Sequence, residues 1–120
     1  MRPLARDDAG SATAELAIGV PLLVALTAGL VWMLALGAAQ VRVVDASREA
    51  ARAVARGDDV AAATSLAQRI APAGARVRVR VGEDEVVVTT TARVTGPGGL
   101  LGSLPGVTVS ADAVALAEAS

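Results

Sequence analysis

The chain contains no cysteine and no histidine. Their absence excludes disulfides, thiol nucleophiles, imidazole bases and metal sites built from these ligands. Catalysis would have to rely on Ser, Thr, Asp or Glu, and the sequence shows no recognisable motif for such chemistry. We therefore predict that the protein is not an enzyme and that it uses no cofactor, no metal and no small-molecule substrate.

Aromatic residues are almost absent too, with one Trp and no Phe or Tyr in 120 residues. The hydrophobic fraction is nevertheless 53%, mostly Ala, Val and Leu. So few bulky side chains favour a membrane segment or tightly packed helices over a large globular core. The net charge is −1, which argues against a nucleic-acid partner, because such binding depends on a positive surface.

A long uncharged segment extends from Leu16 to Val41, 26 residues without a charge. As a helix it spans about 39 Å, more than the ~30 Å hydrocarbon core of a bilayer. It lacks the polar stripe that a soluble helix shows. We therefore predict a transmembrane helix, with Trp32 near the far interface, where indole rings are enriched.

The next segment has charges at helical spacing, which predicts an amphipathic stalk continuing the membrane helix. Gly57 is expected to end it, and Asp58 or Asp59 to begin a second helix that stops before Pro72. Three weak ion pairs are expected along the stalk: Arg42–Asp45, Asp45–Arg48 and Glu49–Arg52. The apolar side is expected to hold Val41, Val44, Ala51 and Ala55.

The C-terminal part changes to strand patterns, beginning with strict Arg/Val alternation over residues 76–81. Residues 85–94 and 107–117 are predicted as two further strands. Arg76, Arg78 and Arg80 are interpreted as a solvated face, with an acidic partner as the alternative. The loop at 96–106 carries Leu100, Leu101 and Leu104, three candidates for contact with a partner. The predicted fold class is α+β: a transmembrane helix continuing into a stalk helix, a short second helix and a small three-stranded antiparallel sheet.

The junction between the charged N-terminus and the apolar segment carries the most information. Glu15 lies five residues after Gly10 and directly before the uncharged segment. A carboxylate buried in the middle of a bilayer costs about 2.5–3.5 kcal/mol, and less near the interface. Something is therefore expected to compensate Glu15.

In these residues the sequence resembles the TadE-like proteins, the minor pilins and assembly proteins of tight-adherence type IV pilus systems. Pro21, six residues after Glu15, and the segment Ala46–Arg52 (ASREAAR) also match the family pattern. The resemblance implies that a prepilin peptidase cuts between Gly10 and Ser11. Glu15 then becomes the fifth residue of the mature chain.

The resemblance also implies how the helix assembles. Cleavage would create an ammonium group on Ser11, and Glu15 of a neighbouring subunit could pair with it and fix the axial offset between packed helices. Helix pairing is assigned to Glu15 and Pro21, and the stalk motif to Arg48, Glu49 and Arg52.

The implied organisation has four parts: a leader (1–10), a transmembrane helix (11–41), a stalk with the second helix (42–71) and an extracytoplasmic sheet region (72–120). The implied function is that of a minor pilin or pilus-assembly component. Its partners are the membrane, a prepilin peptidase and other pilin or TadE-like subunits. The protein is expected in the cell membrane or a surface pilus, crossing the membrane once. Ser11 as first mature residue and Leu16 after the Glu favour a minor component over the main filament subunit.

Two other interpretations remain open from the residues alone. The chain could be an unprocessed single-pass adaptor, or a secreted protein cut near Ala39, although its uncharged segment is long for a signal peptide. The orientation is also open, because four arginines after the membrane segment outnumber Arg2 and Arg6 before it. By the positive-inside rule this places the C-terminus in the cytoplasm, whereas the family implies the opposite. We follow the family and expect the C-terminal domain outside the cytoplasm, because the acids Asp45 and Glu49 accompany the stalk arginines.

Overall fold

A computed structural model of the chain describes residues 2–96 and 106–118, with side chains from Gly10 onward. The elements are α1 (Arg2–Ala55), α2 (Val60–Ile70), β1 (Arg76–Val81), β2 (Glu85–Val94) and β3 (Val107–Leu116). The strands form one antiparallel sheet in the order β1-β2-β3. This confirms the predicted α+β fold class. The predicted partner contacts at Leu100, Leu101 and Leu104 lie outside the described residues.

The chain divides into two compact units, Met1–Met33 and Leu34–Ser120. We call the second unit the head. In the first unit α1 is unaccompanied, and it continues through Pro21. Its large apolar side chains are therefore exposed: Leu16, Ile18, Val20, Leu22, Leu23, Val24, Leu26, Leu30, Val31 and Met33.

The end of α1 is set by Gly57, as the sequence predicts. Its φ of 100° lies in the left-handed region that glycine adopts without strain. The Gly57 amide donates to the Val54 carbonyl (2.9 Å) and the Asp58 amide to the Ala53 carbonyl (3.0 Å). This pair of bonds is a Schellman motif, which satisfies carbonyls that the helix end leaves unpaired. Asp59 then precedes α2, without a side-chain cap.

Within the head, α1 buries a face made mainly of alanine. The buried positions follow a four-and-three spacing that keeps them on one side of a helix: Ala39, Val43, Ala46, Ala50 and Ala53. The predicted apolar side is wrong at Val41, which is 58% exposed. Alanine fits this face because small side chains let the helix approach its neighbours closely, whereas a hydropathy pattern gives more weight to the larger valine.

The stalk segment is thus the central helix of the head. Its alanines join one cluster with Ala63 and Ala67 of α2 and with Val86 and Val88 of β2. A second cluster brings Ala39 and Val43 together with Ala92 of β2 and Val109 of β3. One face of β2 therefore covers α1, and its residues alternate between buried and half-buried over most of the strand.

One polar contact crosses this apolar interface. The Ser47 hydroxyl oxygen lies 2.7 Å from the Thr90 hydroxyl oxygen and 2.9 Å from the Ala111 carbonyl oxygen. A hydroxyl has one proton and a carbonyl only accepts. Ser47 thus donates to Ala111 and accepts from Thr90, linking α1 to both β2 and β3.

Replacing Ser47 by alanine is expected to destabilise the head by about 1–3 kcal/mol, because it leaves the buried Thr90 hydroxyl without this partner and removes a hydrogen bond to the Ala111 carbonyl. Thr90→Val is the matched comparison and should cost less, since Ser47 keeps its bond to Ala111. Amide hydrogen exchange of β2 in the full-length chain measures both. Equal protection in Ser47→Ala and the unmodified chain would show that the contact contributes nothing.

Candidate functional site

The three residues at the predicted processing and pairing site lie together on α1. Gly10, Ser11 and Glu15 are all exposed, and the helix continues through the bond between Gly10 and Ser11. Ser11 and Glu15 are one helical turn apart, so both groups lie on the same side of the helix. Within the described residues Glu15 has no ion pair. The carboxylate is thus available to a group from outside the chain.

Directly after Glu15 comes the apolar surface of α1. Among the described residues this is the one helix long and apolar enough to cross a membrane. Pro21 lies inside it and lacks the amide that would bond to Ala17. The Thr27 hydroxyl turns back to the Leu23 carbonyl (2.9 Å), so this hydroxyl is satisfied within the helix.

The stalk motif is brought together only in part. Arg52 Nη2 lies 3.5 Å from Glu49 Oε2, in a pair exposed enough to contribute little energy. Arg48 is exposed and has no carboxylate within 4.0 Å in the described part of the chain. The motif is therefore a polar surface on the solvent side of α1.

Arg42 has a role that the sequence did not reveal. Instead of the expected pair with Asp45, its Nε donates to the Ile70 carbonyl (3.0 Å) and its Nη2 to the Ala71 carbonyl (3.4 Å). A cation there stabilises the C-terminal end of α2. No local signal could have shown this, because the contact joins residues 28 and 29 positions apart.

The outer face of the sheet is polar and carries the arginines of β1. Arg76, Arg78 and Arg80 are exposed and lie opposite Thr91, Thr89 and Val87 of β2. A cleft of about 610 Å³ lies beside Arg76 and Arg78. Its lining is Gln68, Ala75, Arg76, Val77, Arg78, Thr89 and Thr91. In the described part of the chain no cluster of His, Cys, Asp or Glu is suited to a metal ion.

An exposed apolar helix of membrane-spanning length, joined to a small α+β head, defines a class of single-pass membrane-anchored proteins. Within it, residues 10–52 match the profile of the TadE-like protein family. This match confirms the resemblance inferred from Gly10, Glu15, Pro21 and the stalk motif, all of which it includes. The TadE-like family is associated with Tad pilus systems.

A relative is the protein named Apoptosis inhibitor Rv3655c of Mycobacterium tuberculosis (strain ATCC 25618 / H37Rv). It is 44% identical over 79 residues, which are 66% of this chain and 57% of the relative. The chain thus matches a little more than half of the relative's length. No solved structure matches the chain.

Proposed function

We propose that the protein is a minor pilin or assembly component of a tight-adherence type IV pilus, processed by a prepilin peptidase after Gly10. The observation that carries this proposal is the TadE-like match over residues 10–52. It begins at the proposed cleavage site and contains Glu15 and the apolar helix. The role is structural, and no residue is assigned to catalysis.

The proposed assembly contact joins Ser11 of one subunit to Glu15 of another. Cleavage places an ammonium group at the start of the helix, one turn before the carboxylate. Two neighbouring helices shifted by about one turn, roughly 5.4 Å, would bring the opposite charges together. The pairing removes the cost of holding either charge unpaired near lipid, and thereby favours one axial offset.

The exposed apolar side chains of the first unit support this role, because they need lipid or other helices around them. Pro21 belongs to the same surface and is proposed to adapt the helix to its neighbours. The head is proposed to lie outside the cytoplasm, with Arg48, Glu49 and Arg52 on its surface available to other subunits.

Deletion of the gene in its native host tests this function. Surface pili should fall below the level of the parent strain and return on complementation with the unmodified chain. Complementation with Leu30→Arg should fail, because a charge in the middle of the apolar helix blocks insertion or packing. Arg56→Gln is a matched control, since it alters one exposed charge of the head. Normal piliation in the deletion strain, together with absence of the chain from the pili and pilus-associated complexes of the parent strain, would refute the proposal.

The two alternative functions give different outcomes. An unprocessed adaptor would remain in the membrane at full length and leave piliation unaffected. A secreted protein cut near Ala39 would be found in the culture medium without its apolar segment.

A further inference from the structure

The head has two ends, which its contacts define. At one end Leu36 and Ala39 pack with Val94 and Val109. We call this the entry end, because the chain arrives there from the apolar segment. At the far end the Glu118 amide donates to the Ala55 carbonyl (3.1 Å), where α1 finishes.

The charges of the head are separated between these ends. The entry end carries basic residues on four elements or their flanks, with Asp45 about one helical turn beyond Arg42. The last turn of α2 lies at this end, because Arg42 bonds to its carbonyls. The basic residues of the entry end are Arg42, Arg69, Arg76 and Arg93. The far end is mainly acidic, with these carboxylates: Asp58, Asp59, Glu83, Asp84, Glu85 and Glu118.

Among the described residues, no ion pair neutralises the entry end. In the described residues, Arg69, Arg76 and Arg93 have no carboxylate within 4.0 Å. Residues 97–105, which lie between β2 and β3 in the sequence, contain no Asp or Glu. The positive charge of the entry end is therefore available to an external anion.

Arg76 and Arg93 also share a cleft of about 380 Å³. It is lined by Gly74, Arg76, Thr91, Ala92, Arg93 and Thr108. Arg93 lies against Gly106, where a Cβ would come within 2.8 Å of its Nε. The cleft thus offers two guanidinium groups and the Thr108 hydroxyl, which are suitable donors for a phosphate, whereas the Thr91 hydroxyl is hydrogen-bonded to Ser110 (3.2 Å).

We propose that the entry end of the head docks on the anionic phosphate headgroups of the membrane that α1 crosses. This docking proposal rests on the proposed function, in which α1 inserts into the membrane. It adds a second, electrostatic contact between the protein and the membrane. Chain connectivity holds the entry end near the bilayer surface, where basic groups within a Debye length are attracted to anionic lipid. The acidic far end is repelled by the same surface, so the charge separation favours one orientation of the head.

The absence of cysteine allows a direct test with the full-length chain in lipid nanodiscs. Ala73→Cys, at an exposed position next to the cleft, carries a fluorescent donor, and labelled headgroups carry the acceptor. Discs of phosphatidylcholine are compared with discs containing equal parts of phosphatidylcholine and phosphatidylglycerol. Energy transfer should rise with phosphatidylglycerol and fall again when salt is added, because salt screens these charges.

The charge variants locate the contact. Arg76→Gln with Arg93→Gln should lower the ratio of docked to undocked heads about fivefold for each arginine removed. Arg56→Gln with Arg80→Gln is the matched control, because it removes the same charge near the far end. It should retain the phosphatidylglycerol dependence.

Three results would overturn the proposal. Energy transfer that is the same in both kinds of disc refutes docking while leaving membrane insertion intact. A chain that does not enter the discs at all refutes the docking and the proposed function together. An equal loss in both double variants would also refute it, because that result indicates a response to net charge alone.

Discussion

Replacement of Glu15 by glutamine is expected to lower incorporation of the chain into pilus-associated assemblies at least tenfold. The change keeps the shape of the side chain but removes the charge that pairs with the Ser11 ammonium group. Removing one partner of a desolvated pair costs about 3–5 kcal/mol when the pair is fully buried. A tenfold loss corresponds to about 1.4 kcal/mol, which suits a pair near the membrane interface. Quantitative mass spectrometry of sheared pili and detergent-solubilised complexes measures the loss.

Glu83→Gln provides the control for this experiment. Glu83 is exposed in the turn between β1 and β2, so the same chemical change there should leave incorporation unchanged. Both variants must be processed and present in the membrane at the level of the unmodified chain. Undiminished incorporation of Glu15→Gln would contradict the pairing of Glu15 with Ser11.

Enlargement of Ala50 to leucine is expected to have the largest effect on the stability of the head. Ala50 is fully buried in α1 within the cluster that contains Val86 and Val88 of the sheet. A larger side chain has no space there, and overpacking of this kind costs about 1–3 kcal/mol, sometimes more. Hydrogen exchange of the β2 amides in the full-length chain should show a matching loss of protection.

Ala62→Leu is the matched control for Ala50→Leu. Ala62 is exposed on α2, and leucine is nearly as good a helix former as alanine, so stability should change by less than about 0.5 kcal/mol. If the β2 amides are equally protected from hydrogen exchange in both variants, α1 does not pack closely against the sheet.

The strands were predictable because their side chains alternate. The Arg/Val sequence of β1 gives its bounds as found, and β2 also agrees with the prediction. β3 ends at Leu116, one residue earlier than predicted. Period-two alternation is a local signal, and these half-buried strands show it without reference to their neighbours.

The buried face of α1 was less predictable. Ser47 is fully buried whereas Val41 is exposed, the reverse of their order of hydropathy. Burial of Ser47 depends on Thr90 and the Ala111 carbonyl, which approach Ser47 only after the sheet has folded over the helix. Arg42 likewise bonds to carbonyls of α2, and two of the three expected ion pairs of the stalk do not form.

The processing site shows the same contrast between local and external information. Gly10, Glu15 and Pro21 are recognised through their resemblance to the TadE-like pattern, together with the stalk motif, and the TadE-like match covers all three. Their proposed roles depend on a peptidase and a neighbouring subunit, so no contact within one chain reveals them. The separation of charge in the head also becomes apparent only when the strands and helices are assembled.

The mass of the native chain, isolated from the membrane fraction of its host, tests the central claim most directly. Processing after Gly10 predicts a mature chain that begins at Ser11 and lacks the mass of residues 1–10. A native chain that retains Met1, or lacks Met1 alone, would contradict the claim and favour an unprocessed adaptor. A chain that begins near Gln40 would contradict it as well and favour secretion.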